Sequence, residues 1–169
     1  VVRRWQQYVM GGIQFRLNVA VGRDISLEEL RGKHDAVLIA TGVYKARDIK
    51  VPGIGADGVV PALDYLIASN RKGFGDEVPA FDSGALNAHG KNVVVIGGGD
   101  TAMDCVRTAV RQGAASVKCL YRRDRINMPG SQREVLNAEE EGVEFVWLSG
   151  PVAVEGTPHA TAVRARRMR

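Results

Sequence analysis

The clearest hydrophobic pattern in this chain is an alternation of short apolar runs and amphipathic stretches after residue 91. The run 92–96 predicts a buried strand, and residues 101–112 predict a helix with one apolar face. That face holds Ala102, Val106, Ala109 and Val110. Further strands are predicted at 116–121 and 143–148, with a helix at 131–141 between them. This alternation favours an α/β fold, a Rossmann-like parallel sheet with flanking helices and right-handed crossovers.

A similar but weaker pattern precedes residue 50. Apolar residues at helical spacing predict a short helix over residues 2–9, and alternation predicts a strand at 13–17. The capping box at 26–29 opens a second helix. The continuous apolar run 35–40 is typical of a buried parallel strand, and it ends at Thr41-Gly42, where we expect a turn.

Residues 51–91 contain few strong patterns. Glycine and proline at 51–58 indicate a connector, and residues 61–69 suit a helix with Pro61 in its first turn. The following residues, to about 91, are polar and broken by glycines, so we expect a long loop.

The turn between the first strand and helix of the later region has a chemical signature. It consists of Gly97, Gly98, Gly99, Asp100, Thr101 and Ala102, a G-x-G-x-x-A sequence between an apolar strand and an amphipathic helix. Gly97 permits the tight turn, Gly99 lets a pyrophosphate approach the backbone, and Ala102 lets the helix pack close to the sheet. The helix N-terminus offers N–H groups and partial positive charge to phosphates. We therefore predict a dinucleotide site; the alternative is a plain strand-to-helix turn.

The end of the second strand bears on which dinucleotide fits. A free ribose 2′-hydroxyl usually meets an acidic residue about 20 residues past the loop. Here Tyr121, Arg122 and Arg123 occupy that region, and Asp124 is expected beyond the strand tip. Two guanidinium groups suit a 2′-phosphate, and Tyr121 is expected to stack on the adenine. This favours NADPH over NADH; the alternative is a solvated arginine pair.

Charge and composition exclude several classes of function. The net charge of +4 equals the contribution of the four arginines in the last nine residues, so a general nucleic-acid surface is poorly supported. We interpret this tail as a cut-off strand with exposed arginines. No apolar run is long enough for a transmembrane helix.

The remaining chemically capable residues form no catalytic or metal-binding pattern. Cys105 and Cys119 fit neither a zinc nor an iron–sulfur spacing and are expected to be buried free thiols. The three histidines are scattered. Asp100 and Asp104 are favoured as helix-stabilising acids, and 139–141 is expected to be a solvated helix end. Arg133-Glu134 is a weaker candidate to face the cofactor.

Several runs together resemble the small (beta) subunit of bacterial NADPH-dependent glutamate synthase. They are 21–24, 26–30, 33–50, 97–113, 121–125 and 128–134. The resemblance covers nearly the whole chain and is weakest at 67–90 and after 150. The same architecture occurs in dihydropyrimidine dehydrogenase and in ferredoxin–NADP reductase relatives.

The resemblance implies an FAD-binding domain interrupted by an NADPH-binding domain. Residues 1–66 would be part of the FAD domain, 67–90 a connecting loop and 91–169 the NADPH domain. Ala40, Thr41 and Gly42 would belong to the flavin side. The family passes hydride from NADPH to FAD and electrons through iron–sulfur clusters to a large (alpha) subunit. That subunit makes glutamate from glutamine and 2-oxoglutarate in the cytoplasm.

The resemblance also implies missing parts. The family's first glycine loop for FAD, its cysteine-rich iron–sulfur segment and its later Gly-Asp segment do not occur in this sequence, so we expect a piece of a longer protein that begins mid-chain. Such a piece is expected to bind NADPH weakly and to be inactive alone. The alternatives are a related flavoprotein reductase with a ferredoxin-type partner and an inert nucleotide-binding fragment.

Overall fold

The computed structural model describes residues 2–42 and 49–168. The chain divides into two compact units, Val1–Val43 and Tyr44–Arg169, which are treated separately below. Residues 43–48, which lie within the run 33–50 that carries part of the resemblance, are outside the described residues, as are both terminal residues.

The first unit contains two helices, α1 (Val2–Met10) and α2 (Leu27–Lys33). Both were predicted from the sequence. The capping signal before α2 is confirmed, since the Ser26 hydroxyl accepts a hydrogen bond from the Glu29 N–H at 3.0 Å. Acidic residues in the first turn and basic residues in the last turn complement the helix dipole.

The two strands predicted in this unit do not form. Residues 13–17 and 35–40 belong to no sheet, and none of the residues 2–42 is buried. The only bridge within 2–42 joins Val21 to Ile25 across a tight turn. A strand needs a hydrogen-bonded partner as well as an apolar pattern, and the described part of this unit supplies none.

The second unit follows the predicted alternation of strands and helices and adds to it. Its elements are α3 (Ala62–Gly73), α4 (Pro79–Asp82), β1 (Asn92–Ile96), α5 (Asp100–Arg111), β2 (Ser116–Leu120), α6 (Gln132–Glu140), β3 (Glu144–Val146), β4 (Ser149–Glu155) and β5 (Ala162–Arg167). The predicted β-α-β-α-β order from 92 to 148 is confirmed, with some boundaries moved by up to two residues.

Strands β1, β2 and β3 form a parallel sheet in that order. Asn92 pairs with Ser116 and Lys118 with Glu144, so all three strands present their carboxyl ends at one edge. Helix α5 packs against β1 and β2. The largest fully buried side chains are Met103, Val106, Val135 and Cys119, and they fill the space between helices and sheet. The expected α/β parallel-sheet fold is confirmed.

The segment expected to be a long loop carries helical structure instead. Helix α3 continues to Gly73 and α4 follows at Pro79–Asp82. The Gln112 side chain at the end of α5 accepts hydrogen bonds from the Tyr65 hydroxyl and the Ala88 N–H, both at 2.9 Å. It also donates to the Ser69 hydroxyl at 2.9 Å. These contacts bind the segment to α5, and sequence spacing does not reveal them.

Strands β4 and β5 form an antiparallel pair that was not predicted as a unit. The interpretation of the arginine-rich tail as a strand with exposed arginines is confirmed for its described part. The predicted third strand ends early because Leu148 has a φ of 52°, which turns the chain out of the sheet. Beyond this turn, Ser149 begins β4 and donates from its N–H to the Tyr121 carbonyl at 2.9 Å.

Candidate functional site

The glycine turn lies at the carboxyl edge of the parallel sheet, between β1 and α5. We call residues 97–102 the glycine corner. The Gly97 N–H donates to the Leu120 carbonyl at 3.2 Å, which continues the ladder between β1 and β2 into the turn. Gly97 has a φ of 152°, a conformation that other residues rarely adopt. The corner therefore sits where ligands bind in open α/β sheets.

The neighbouring glycines of the corner serve different purposes. A Cβ at Gly98 would lie 2.4 Å from two ring carbons of Tyr121, so the protein's own packing requires glycine there. A Cβ at Gly99 would meet no protein atom within 4 Å. The space beside Gly99 is open to a ligand, as the predicted role of this glycine requires. Ala102 is buried beneath Gly97, which agrees with its predicted role in close packing.

Free N–H groups line this open space. Gly99 is the N-cap residue of α5 and has no side chain to cap the helix. Within residues 2–42 and 49–168, no hydrogen-bond acceptor is found for the N–H groups of Gly99, Asp100 and Thr101. Unpaired amides at a helix N-terminus are a binding site for anions such as phosphate.

A later segment of the chain is attached to the corner. The Gly130 N–H donates to the Gly98 carbonyl at 2.9 Å, and the Ser131 N–H donates to the Asp100 carboxylate at 3.0 Å. Asp100 thus orients the segment that leads into α6, in line with the structural role favoured from the sequence. The sequence does not predict these two bonds: the run 128–134 carries part of the resemblance, but its spacing alone assigns it no contact with the glycines.

Tyr121 supports the corner from behind. Only 8% of its surface is exposed, its ring packs under Gly98, and its hydroxyl donates to the Asn127 carbonyl at 3.1 Å. Its ring also meets Trp147 edge-on, with centroids 6.4 Å apart. The expected stacking of Tyr121 on an adenine does not agree with this burial, because little of the ring faces solvent.

Arg122 and Arg123 follow β2 at the same edge of the sheet. Both are exposed, and neither forms an ion pair with any described residue. The nearest acid in sequence, Asp124, instead accepts hydrogen bonds from the backbone N–H and the side-chain amide of Asn127, at 2.9 and 2.8 Å. These bonds lower the pKa of the Asp124 carboxyl, and Arg123 contributes a smaller effect in the same direction. The two guanidinium groups remain available to an anionic ligand.

The acidic end of α6 is not simply solvated, contrary to expectation. Glu139 pairs with Arg125 at 2.8 Å, and Glu141 pairs with Arg107 at 2.8 Å and with Arg111 at 3.0 Å. Glu134 also contacts Arg107 and therefore faces α5 rather than the glycine corner. Arg133, the other residue of that candidate segment, is exposed.

The flavin-side candidates lie in the first unit. Ala40, Thr41 and Gly42 are exposed, and Gly42 has a φ of 71°, as expected for a turn. The structure places them in no helix or strand.

Other reactive groups are buried or dispersed. Cys105 and Cys119 are free buried thiols, as predicted, and burial raises the pKa of each to about 12. Among the described residues no group of three or more His, Cys, Asp or Glu side chains could hold a metal ion. In the same part of the chain, no helix is long and apolar enough to cross a bilayer.

Comparison with known proteins agrees with this geometry. Residues 7–167 match the family model described as pyridine nucleotide-disulphide oxidoreductase. The glutamate synthase [NADPH] small chain of Azospirillum brasilense is 63% identical over 168 residues, which cover 99% of this chain and 35% of that protein. A Cereibacter sphaeroides protein given the same name provisionally is 71% identical over 151 residues, covering 89% and 36%. The resemblance found in the sequence is confirmed, and the chain spans about a third of the length of these relatives.

Solved structures support the fold. Mycobacterium tuberculosis FprA in complex with NADPH matches with a TM-score of 0.64 and 18% identity, over 89% of this chain and 46% of that one. Lactococcus lactis thioredoxin reductase matches with a TM-score of 0.51 and 22% identity, over 74% and 36%. At these identities the likeness concerns the fold alone. Because the family model matches residues 7–167 of this chain, the chain belongs to the pyridine nucleotide-disulphide oxidoreductase family.

Proposed function

We propose that this chain is the NADPH-binding part of a flavin-dependent oxidoreductase. The observation that carries the proposal is the set of unpaired N–H groups at Gly99, Asp100 and Thr101 beside the open space at Gly99. A pyrophosphate fits such a place because it needs close backbone approach, several donors and positive potential. The corner keeps its shape because Gly97 permits the turn and Ala102 packs beneath it. The Tyr121 ring packs under Gly98.

Arg122 and Arg123 provide the preference for a 2′-phosphate. They stand at the carboxyl end of β2, are exposed, and form no salt bridge with any described residue. Charge-assisted contacts from guanidinium groups are stronger than neutral hydrogen bonds, so a phosphorylated ribose is favoured over a free one.

The longer protein would be the small subunit of an NADPH-dependent glutamate synthase. Relatives with that name are 63% identical in Azospirillum brasilense and 49% identical in Escherichia coli. NADPH would supply hydride to FAD, with electrons continuing through iron–sulfur clusters to a large subunit that forms glutamate from glutamine and 2-oxoglutarate. Residues 91–169 would then be the NADPH domain, and 1–66, with Ala40, Thr41 and Gly42, part of a flavin domain in a cytoplasmic enzyme.

This chain's own residues contribute positioning to that chemistry. The corner fixes the phosphates, the two arginines fix the ribose end, and no acid or base at the corner has to move a proton. Hydride transfer between two bound cofactors depends mainly on their orientation. The sequence analysis predicts no catalytic side chain, which is consistent with residues that only position the nucleotide.

A second candidate is a reductase of the same architecture with another electron acceptor. The NADPH-Fe(3+) oxidoreductase subunit beta of Geobacter sulfurreducens is 40% identical over 162 residues, covering 93% of this chain. The nucleotide site would be the same in both candidates. Activity of the full-length protein with glutamine and 2-oxoglutarate, compared with activity toward ferric iron, distinguishes them.

The nucleotide proposal is tested by titrating the purified chain with NADPH and NADH and following nucleotide fluorescence. The double variant Arg122→Ala/Arg123→Ala is expected to weaken NADPH binding by about ten- to a hundredfold and to leave NADH binding nearly unchanged. Gly99→Ala is expected to weaken both nucleotides, because its methyl group enters the open space. The thermal midpoint of Gly99→Ala should remain that of the unmodified chain.

Arg71→Ala serves as the matched control, since Arg71 is an exposed arginine on α3 that pairs with Asp76. It should bind both nucleotides normally. Equal affinity of the unmodified chain for NADPH and NADH would remove the role given to Arg122 and Arg123. Normal binding by Gly99→Ala would remove the role given to the corner.

A further inference from the structure

We propose that Arg167, on β5, is a third cationic contact for the 2′-phosphate and strengthens selection of NADPH. This inference rests on the proposed nucleotide site and adds a residue far from it in sequence. Its basis is the course of the β4–β5 pair, which brings the end of β5 back to the carboxyl edge of the parallel sheet.

Backbone hydrogen bonds connect the end of β5 to the tip of β2. The Leu148 N–H donates to the Arg123 carbonyl at 3.0 Å, and the Met168 N–H donates to the Leu148 carbonyl at 2.6 Å. A second connection runs through Ser149. Its N–H donates to the Tyr121 carbonyl at 2.9 Å, and Ser149 pairs in register with Arg167. Arg167 is thus about two strand spacings, roughly 10 Å, from the tip of β2.

The pleat of β5 determines which of its arginines faces the sheet. Val163 and Ala165 line a groove with Val94, Leu120 and Val146, on the sheet face opposite α5. Because side chains alternate along a strand, Arg167 continues the row of Val163 and Ala165 toward the carboxyl edge. Its cross-strand partner Ser149 is buried, which agrees with this orientation.

The other two described arginines of β5 point the opposite way. Arg164 pairs with Glu155 at 3.3 Å, and Arg166 lies opposite Gly150 on the outer face. Arg167 itself is exposed and forms no ion pair with any residue among 2–42 and 49–168. Arg122, Arg123 and Arg167 therefore lie at the same edge of the sheet, and none of the three forms an ion pair with a described residue. Three cations on this edge match the doubly charged 2′-phosphate of an adenine dinucleotide.

The experiment compares Arg167→Ala with Arg166→Ala in the 169-residue chain. The probes are 2′,5′-ADP, which carries the extra phosphate, and 5′-AMP, which lacks it. Arg167→Ala is expected to weaken 2′,5′-ADP about three- to tenfold, to leave 5′-AMP unchanged and to reduce the salt dependence of 2′,5′-ADP binding. Arg166→Ala should match the unmodified chain with both probes.

Further outcomes separate this inference from the proposed site. If Arg167→Ala binds 2′,5′-ADP normally while Arg122→Ala/Arg123→Ala does not, Arg167 has no role and the nucleotide site stands. If the unmodified chain does not distinguish 2′,5′-ADP from 5′-AMP, the contact proposed for Arg167 and the role given to Arg122 and Arg123 are both wrong, and the proposal for the glycine corner is decided by Gly99→Ala. Should Arg167→Ala unfold, Arg167→Lys and Arg167→Gln replace it; retained binding by lysine with loss by glutamine supports the contact, and equal binding by the two contradicts it.

Discussion

The two units of this chain contain similar apolar patterns and show different degrees of packing. The run 35–40 in the first unit reads as a buried strand, yet Leu38 is 89% exposed. The run 92–96 in the second unit is β1, and Val95 packs against the core. The difference is pairing: β1 has β2 beside it and α5 above it. An apolar run records a tendency to be buried, and neighbouring elements decide whether burial occurs.

The comparison has an energetic counterpart. Met103, Val106 and Val135 are fully buried in the second unit, and burial of each such side chain contributes roughly 1.5–3 kcal/mol. No described residue of the first unit is buried. We therefore expect apolar substitutions at exposed positions of the first unit to cost much less free energy of unfolding than substitutions of these three buried residues.

The largest predicted effect follows directly. Met103→Ala should lower the free energy of unfolding of the second unit by about 2–5 kcal/mol, since it empties a fully enclosed position. Leu38→Ala should change it by less than about 0.5 kcal/mol. Urea unfolding followed by tryptophan fluorescence measures both in a Trp5→Phe background, where Trp147 is the remaining tryptophan of the chain.

Equal losses from the two substitutions would break the comparison, because Leu38 would then be part of a packed core. Val106→Ala offers an independent check. It removes a second fully buried side chain of α5 and should also destabilise the second unit.

The parts of the fold that the sequence predicts are those with local signals. The helix α5 has its glycines before it, an apolar stripe along it and Gly113 after it. The β4–β5 pair has no comparable signal, because β4 contains Gly150 and Pro151 and its pairing with β5 is interrupted by a bulge. Its position also depends on a distant contact, the Val154 N–H bonding to the Pro52 carbonyl at 2.9 Å.

The second prediction compares one glycine from each unit. Gly98→Ala places a methyl group 2.4 Å from the Tyr121 ring and should destabilise the second unit by about 1–3 kcal/mol. It should also weaken NADPH binding, because the corner must move. Gly32→Ala lies in α2, where a Cβ meets nothing within 4 Å, and should be neutral or slightly stabilising.

The same fluorescence measurement and an NADPH titration test this pair of variants. A fully stable Gly98→Ala would show that the Tyr121 ring is free to shift, and the distinction between Gly98 and Gly99 would then be lost. A destabilising Gly32→Ala would indicate close packing around α2.

The sequence predicts the glycine turn of the candidate site, and it does not predict the long-range contacts that hold this turn in place. The G-x-G-x-x-A pattern identifies the corner because each motif residue acts within the turn between β1 and α5. The packing of Tyr121 under Gly98 and the bond from Ser131 to Asp100 join residues 23 and 31 positions apart, and no periodicity reports such contacts. Burial of Tyr121 likewise depends on Trp147 and Asn127, which reach it only in the folded chain.

The smallest predicted effect concerns one ion pair from each unit. Glu141 accepts hydrogen bonds from Arg107 and Arg111 and joins α5 to the end of α6, with 26% of its side chain exposed. Glu29 in α2 pairs with Lys33 four residues later, and both side chains are largely exposed. Exposed pairs of this kind contribute little to stability, so the two glutamates should differ in their effect on acid unfolding.

Glu141→Gln should flatten the acid side of the stability profile, and Glu29→Gln should not. The hydrogen bond from Arg107 is the main cause that lowers the pKa of Glu141 below its ordinary value of 4.5. A carboxyl whose pKa is lower in the folded state stabilises the protein above its unfolded pKa and loses that contribution as the pH falls. The unmodified chain should therefore exceed Glu141→Gln in stability at pH 7, with the gap closing as the pH falls through and below 4.5. Urea midpoints measured across this range test the sign, since a gap that widened on acidification would place the folded pKa above the unfolded one.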